Sequence, residues 1–272
     1  MTRLALIADL HFGRERKVLL PHLLTAIHAA QPDYVVIAGD FVQRARPSHF
    51  RPARAFVDQL LAPWIAGPGN HDIPLYNIAS RLLWPRAAYR RHIATQTEPL
   101  IQTDTATLIG IDTTDPLRVQ RGRISDTQID HVCTTIRQDD GRLPVIIAHH
   151  PFHQNPEVEK KLMRGAARAL EAWSDCGPHV ILSGHLHSFL VEPFVTRKGA
   201  GQTLQIHCGS STSTRHRGNP NDLAILDIKG SEIAITRQTF DPAQGFTPQA
   251  HYAYAVTPSG WKVKTDPPID PH

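Results

Sequence analysis

The run RLALIADLH, residues 3–11, decides the architecture when it is read with YVVIAGD, residues 34–40. Each is an apolar run that ends at an aspartate, Asp9 in the first and Asp40 in the second. Between them Leu19, Leu23, Ile27 and Ala30 recur at helical spacing, and Pro21 falls in the first turn, where a missing N–H costs no hydrogen bond. Strand, helix and strand in this order form a βαβ unit with a right-handed crossover. The run Val35-Val36-Ile37 lacks polar alternation, as expected of a strand covered on both faces.

Outward from this unit the pattern repeats. A helix is expected over 47–61, a strand over 63–66, and a helix over 75–92 that Pro85 interrupts. Strands are expected at Thr107 to Asp112, Val145 to Ala148 and Val180 to Ser183, with helices near 125–138 and 157–173. Strands at 188–196, 203–208, 223–228 and 232–238 then follow without helices, the last two joined by a hairpin at Lys229-Gly230. The expectation is an α/β fold of two packed mixed sheets flanked by helices, with residues 1–240 as a single domain. From Asp241 onward Pro242, Pro248, Pro258, Pro267, Pro268 and Pro271 predict an irregular C-terminal tail, residues 241–272.

With 272 residues, 41% hydrophobic and 20% charged, the chain has the composition of an ordinary globular protein. Its net charge of +4 comes from scattered basic residues, so a nucleic-acid partner is possible but not favoured. Cys133, Cys176 and Cys208 show no paired spacing, which predicts reduced thiols and a cytoplasmic location. No export signal and no membrane span is read. The oligomeric state is not legible.

Histidine is abundant, with 17 residues. His22, His28, His92, His131 and His251 fall outside any pattern and read as surface or helix-face residues. Six others, with neighbouring aspartates, gather into short segments: Asp9-Leu10-His11, Gly39-Asp40, Gly69-Asn70-His71-Asp72, His149-His150-Pro151 and Gly184-His185-Leu186-His187. Most of these segments end a strand-like run, and in open α/β sheets sites form beyond the carboxyl ends of strands. Side chains two apart in extended chain share a face, so Asp9 with His11, and His185 with His187, are expected to point together. Gly39 allows close backbone approach. Asp9, His11, Asp40, Asn70, His149, His185 and His187 are thus the candidate metal ligands. With oxygen and nitrogen donors and no thiolate, the set suits two divalent transition metal ions, Mn, Fe, Zn or Co, among which ligand softness does not choose.

The order and types of these residues closely resemble the calcineurin-like metallophosphoesterase superfamily, with its pattern D-x-H, G-D, G-N-H-[DE], H and G-H-x-H. The resemblance covers residues 3 to 190 and, through His149-His150-Pro151, is greatest with the compact bacterial class III cyclic-nucleotide phosphodiesterases. Asp40 is followed by Phe41-Val42-Gln43-Arg44, unlike the G-D-x-V-D-R-G segment of the protein phosphatases. The resemblance implies a four-layer αββα sandwich. It also implies that Asp9, His11 and His187 hold one ion, that Asn70, His149 and His185 hold a second, and that Asp40 bridges them. His71 matches the family's phosphate-side histidine and is the candidate catalytic residue.

Two ions about 3.5–4 Å apart can hold a bridging hydroxide and clamp phosphate oxygens. The expected activity is hydrolysis of a small phosphodiester, of cyclic-nucleotide or glycerophosphodiester type. A nuclease, a phosphomonoesterase and a non-catalytic partner-binding module are the alternatives. Asp72 or another carboxylate is expected to orient His71, and His150 to support a ligand or face substrate. Arg215 and Arg217, with Arg14, Arg16 and Lys17, are candidates for phosphate oxygens, because guanidinium forks match that geometry. Tyr76, Trp84, Tyr89, Phe152 and His153 are candidates for the pocket wall.

Overall fold

Along the chain the elements run β1 (Thr2–Ile7), α1 (Leu19–Ala30), β2 (Tyr34–Ile37), α2 (Pro47–Val57), β3 (Trp64–Ala66), α3 (Ile78–Leu83) and α4 (Ala87–His92). Then come β4 (Leu100–Gln102), β5 (Ala106–Ile111), α5 (Asp126–Arg137), β6 (Leu143–Ala148), α6 (Ala166–Ser174) and β7 (His179–Ser183). The chain closes with β8 (Leu190–Phe194), β9 (Thr203–His207), β10 (Asp222–Lys229), β11 (Glu232–Asp241), β12 (Gly245–Thr257) and β13 (Gly260–Val263). This computed structural model describes residues 1–138, 141–155, 158, 160–194, 201–214 and 218–264.

The strands make two mixed sheets, one ordered β13-β12-β11-β10-β1-β2-β3 and the other β4-β5-β6-β7-β9-β8. Side-chain alternation assembles the layers. Leu4, Leu6 and Ala8 of the β1 segment face the second sheet, where they meet Val145, Ile147, Val180 and Leu182. Ala5 and Ile7, one residue out of phase, pack instead against Leu23 and Ile27 of α1 and Phe50 of α2. On the far side Ile109, Ile146 and Ile181 pack under Val132 of α5 and Trp173 of α6. The result is the αββα sandwich. Its central strands, such as β5, β6 and β7, lack polar alternation because both of their faces are covered. Each fully buried Leu or Ile contributes about 1.5–3 kcal/mol of transfer free energy, so the three apolar layers dominate stability.

β1, β2 and β3 run parallel, with Ile7 beside Ile37 and Ile37 beside Ala66. β5, β6, β7 and β9 are also parallel to one another. The helix broken at Pro85 appears as α3 and α4, with Trp84, Pro85 and Arg86 between them.

Several expectations are corrected. The helix expected over 157–173 begins only at Ala166. Before it Arg164 pairs with residues 122–124, through Arg164 N to the Gly122 carbonyl (2.9 Å) and Ile124 N to the Arg164 carbonyl (2.9 Å), and Gly165 turns the chain at φ +87°. The short edge strand β4 was not anticipated. The stretch from Asp241 is not an irregular tail as far as it is described, because β12 and β13 extend the first sheet. Pro248 pairs with Gln238 where the β11–β12 register shifts, and a bulge tolerates a residue with no N–H to donate. Pro258 lies in the turn between β12 and β13. Residues 265–272 of the expected tail lie outside the described residues. Cys133 of α5 and Cys176, just after α6, form a disulfide with Cα atoms 5.6 Å apart, which overturns the reading of unpaired thiols. Packing of two helices in one layer brings them together across 43 positions of sequence. Cys208 is free and buried.

Candidate metal centre

All five histidine- and aspartate-bearing segments meet at the carboxyl edge of the two sheets. Asp9 N donates to the Gly39 carbonyl (3.2 Å) and His11 N to the Asp40 carbonyl (3.0 Å), which carries the β1–β2 ladder into the site. Gly184 N donates to the His149 carbonyl (3.1 Å) and joins the β6 and β7 ends in the same way.

The backbone there is not extended. Asp9, His11, Asp40, His185 and His187 have φ of 53°, 50°, 54°, 72° and 59°. Non-glycine residues rarely adopt this left-handed conformation, and where it persists the surrounding structure imposes it, often at functional sites. Asp9 and His11 therefore converge by turning, as do His185 and His187, and not by sharing a strand face. The motif glycines leave room for the turns. A Cβ on Gly39 would stand 2.8 Å from the His149 Cβ, and one on Gly184 would stand 2.6 Å from Asp9 Oδ2.

The candidate donor atoms fall into overlapping groups within 4.8 Å: Asp9, His11 and His187; Asp9, Asp40 and His149; His11, Asp40 and His71; and His149, His150 and His185. His11 Nε2 and His187 Nε2 lie 3.4 Å apart, and each lies 3.4 Å from Asp9 Oδ1. Asp40 Oδ2 lies 3.3 Å from His149 Nε2 and 3.6 Å from His11 Nε2, between the two halves of the cluster. His149 Nδ1 donates to the Ala38 carbonyl (2.9 Å), which turns Nε2 into the cluster, 3.2 Å from Asn70 Oδ1. The Asn70 amide is oriented by its own donation to the Val119 carbonyl (3.3 Å).

Burial and charge set the protonation of the cluster. Burial raises Asp9 and Asp40, but the imidazoles of His187 around Asp9 and of His149 around Asp40 outweigh it and hold both carboxyls below the usual range. Burial depresses His187 to about 4, against the pull of Asp9, and drives His185 well below the ordinary value with help from His150. His149 is opposed by burial yet raised to about 9 by Asp40 beside it. Two ionised carboxylates thus sit in the interior, each with one oxygen held by a backbone N–H and the other set among imidazoles, with no Lys or Arg ion pair to either among the described residues. Asp9 Oδ1 is buried and accepts no hydrogen bond. Buried negative charge ringed by carboxylate, amide and imidazole donor atoms is what divalent cations stabilise, so these residues fit metal ions.

The supporting roles differ from those expected. Asp72 does not orient the His71 ring. Its carboxylate accepts from Val42 N (3.1 Å) and Gly69 N (2.8 Å), tying two site loops together, and burial with Asp40 nearby pushes it up to about 8. His71 Nδ1 instead meets the Gln43 carbonyl at 2.9 Å, while His71 N donates to Asp40 Oδ1 at 2.8 Å. His150 is buried with both nitrogens engaged, Nδ1 with Thr113 Oγ1 (2.8 Å) and Nε2 with the Gln120 carbonyl (3.0 Å). Burial and then His149 lower it to about 3, so it stands as a neutral brace beside His149 and His185. Gln43, Thr113 and Gln120 were missed by the sequence reading, since no spacing rule marks a residue that acts through a backbone carbonyl, as Gln43 and Gln120 do, or a lone hydroxyl like that of Thr113.

Arg14 and Tyr76 line a cavity beside His71. Arg16 is drawn away, donating to Asn221 Oδ1 (3.1 Å) and standing over the Phe240 ring. Lys17 is exposed on the turn into α1. Trp84 lines a separate cavity, Tyr89 and Phe152 are core, and His153 N donates to Gln205 Oε1 (3.0 Å). Arg215 and Arg217 lie outside the described residues.

A sandwich of this topology, with such a cluster at its carboxyl edge, defines a metallophosphoesterase. The chain belongs to the calcineurin-like phosphoesterase family, whose model matches residues 2–189. It is 25% identical over 220 residues to a probable cyclic nucleotide phosphodiesterase of Synechococcus sp., covering 75% of this chain and 78% of that protein. Among solved structures its fold is similar to PhoD, with TM-score 0.76 at 11% identity, covering 98% of this chain and 72% of that one. It is also similar to purple acid phosphatase PPD1 from yellow lupin (Lupinus luteus) seeds, with TM-score 0.68 at 11% identity. That match covers 93% of this chain but only about half, 53%, of the plant enzyme. No helix among the described residues is long and apolar enough to cross a membrane.

Proposed function

We propose that this chain is a metal-dependent phosphodiesterase acting on a small diester, with Asp9, His11 and His187 holding one divalent ion and Asn70, His149 and His185 a second. One observation carries the reading: Asp40 Oδ2 stands between the two groups, 3.3 Å from His149 Nε2 and 3.6 Å from His11 Nε2. When bound, two such ions supply a nucleophile at neutral pH and offset phosphate charge.

The protein's own part is positional. His185 and His187 are kept neutral by burial and present lone pairs without competition from protons. The Ala38 carbonyl selects the His149 tautomer, and His150 braces that ring edge to face, with centroids 4.9 Å apart. His71 donates Nδ1–H to the Gln43 carbonyl, so in its imidazolium form the second proton, on Nε2, is the one passed to the leaving oxygen, which returns the ring to the neutral Nδ1–H form. Its ring stands 4.8 Å from that of His11, at the border between the cluster and the adjoining cavity. The similarity to a probable cyclic nucleotide phosphodiesterase supports diester over monoester chemistry.

The test is a substrate panel run on protein of measured metal content: bis(4-nitrophenyl) phosphate, 4-nitrophenyl phosphate, cyclic AMP and single-stranded DNA. Faster turnover of the bis-aryl ester than of the mono-aryl ester is expected. No turnover of any of the four with metal bound would leave a binding module as the better reading.

A further inference from the structure

Beside His71 lies a cavity of about 650 Å³ whose wall carries Arg14, Arg44, Arg46 and His49. No aspartate or glutamate is found among its described lining residues. Glu15, the carboxylate that acts on His49, is turned back to accept from Gly13 N. Gly13 has φ +97°, and any side chain there would strike the His49 ring. His49 Nδ1 is buried with no hydrogen-bond partner. Burial chiefly lowers His49; Arg46 lowers it further, Glu15 opposes, and Arg44 adds a smaller push downward.

Arg44 is held in place. Its Nη1 donates to the Gln43 carbonyl at 2.7 Å, and its guanidinium carbon stands 5.6 Å from the Tyr76 ring centroid. The same Nη1 lies 3.3 Å from His71 Nδ1. A planar cation is thereby fixed next to the imidazole assigned to the leaving oxygen. One phosphodiester carries a single negative charge, which two divalent ions already more than offset. Three further guanidinium groups on one side of the site match an additional anion, and guanidinium forks pair best with phosphate. The volume is that of a nucleotide-sized ligand.

We infer that this cavity is a second-phosphate subsite. The preferred substrate is a phosphodiester carrying a further phosphate on the His71 side of the scissile bond, as a dinucleotide with a terminal phosphate does. The inference rests on the phosphodiesterase reading above and narrows it to a substrate class.

The test compares unphosphorylated diadenosine monophosphate (ApA) with its 5′-phosphorylated and 3′-phosphorylated forms. With metal-loaded protein, one phosphorylated form should exceed ApA in kcat/KM by about 10- to 100-fold, the range of charge-assisted hydrogen bonds. Arg46→Ala and Arg44→Ala should each reduce that ratio, whereas Arg168→Ala, remote on α6, should leave it at the wild-type value. Equilibrium binding to the full chain in EDTA provides an arm without turnover, in which the same phosphorylated form should bind more tightly than ApA and lose its advantage in Arg46→Ala. Equal kcat/KM and equal binding for all three compounds would overturn the subsite. So would a preference that survives both substitutions but falls in Lys161→Ala, because Lys161 lines the separate cavity on the His185 side. Failure to hydrolyse any dinucleotide, with the binding preference intact, would remove the activity reading and keep the subsite.

Discussion

Asp40 reaches His71 and His149 with different oxygens, but its relation to His149 is the central one: Oδ2 lies 3.3 Å from His149 Nε2, whose ring is fixed from behind by the Ala38 carbonyl. A carboxylate in that position can serve both halves of the cluster, because its other oxygen is already engaged by His71 N.

Asp40→Asn keeps the shape but removes the charge. Bound metal per chain should fall at both positions, and turnover of bis(4-nitrophenyl) phosphate should drop more than the roughly 10- to 100-fold typical of losing a supporting partner. Elemental analysis beside kinetics checks this. Full metal content with normal turnover would remove Asp40 from its bridging place.

His71→Ala should retain metal while lowering kcat about 10²- to 10⁴-fold, the usual contribution of a positioned proton donor. A substrate with a good leaving group should lose least, since it needs no proton on the departing oxygen. Loss of metal from this variant would place His71 among the ligands.

Thr113→Val deletes the hydroxyl that meets His150 Nδ1 at 2.8 Å. Metal affinity should weaken about 10- to 100-fold while stoichiometry at saturating metal stays unchanged, as expected when the brace of a ligand and not the ligand is altered. Competition with a chelator measures it, and an unaltered affinity would show that His150 needs no support.

Gly184→Ala would force a Cβ to within 2.6 Å of Asp9 Oδ2 and 2.8 Å of the Ala8 Cβ. Overpacking of this kind costs about 1–3 kcal/mol. The thermal midpoint should fall even without metal, because the clash is with the protein itself; a shift confined to the metal-loaded form would argue against that origin.

His179 supplies a pH dependence away from the metal cluster. It is fully buried, with Nδ1 2.9 Å from the Gly177 carbonyl and Nε2 2.9 Å from Thr203 Oγ1, and burial lowers it from 6.5 to about 4. Between those values the unfolded chain binds a proton that the folded chain does not, so stability rises with pH across the window and is lost as pH falls below about 6.5. The full difference is about 3 kcal/mol. His179→Asn keeps a donor for Gly177 and removes the titration, so its urea midpoints should slope less steeply than wild type between pH 7 and 5. Parallel slopes would contradict this account.

Much of the site was legible because its signals are local. A strand covered on both faces reads as an apolar run, and a chemically distinctive residue just beyond it, as at Asp9 or Asp40, can be recognised without knowing what lies opposite. The misreadings share one cause. Pro248 looked like a strand breaker because the bulge that accommodates it exists only once β12 pairs with β11. Cys133 and Cys176 looked unrelated because α5 and α6 are neighbours only in the folded layer. Asp72 looked like the partner of His71 by adjacency, yet its oxygens are taken by Val42 N and Gly69 N.

By itself, then, the sequence determined the α/β alternation of the first two-thirds, the ends of the strands that carry the site and the kinds of donor atom available, since periodicity and residue chemistry are properties of short segments. Tertiary structure alone decided the left-handed turns at Asp9, His11, Asp40, His185 and His187, the placement of Asp40 between two groups of imidazoles, and the arginine-lined cavity beside His71. These depend on how closely two sheets pack and where their carboxyl edges meet, which is set by contacts between residues far apart in the chain.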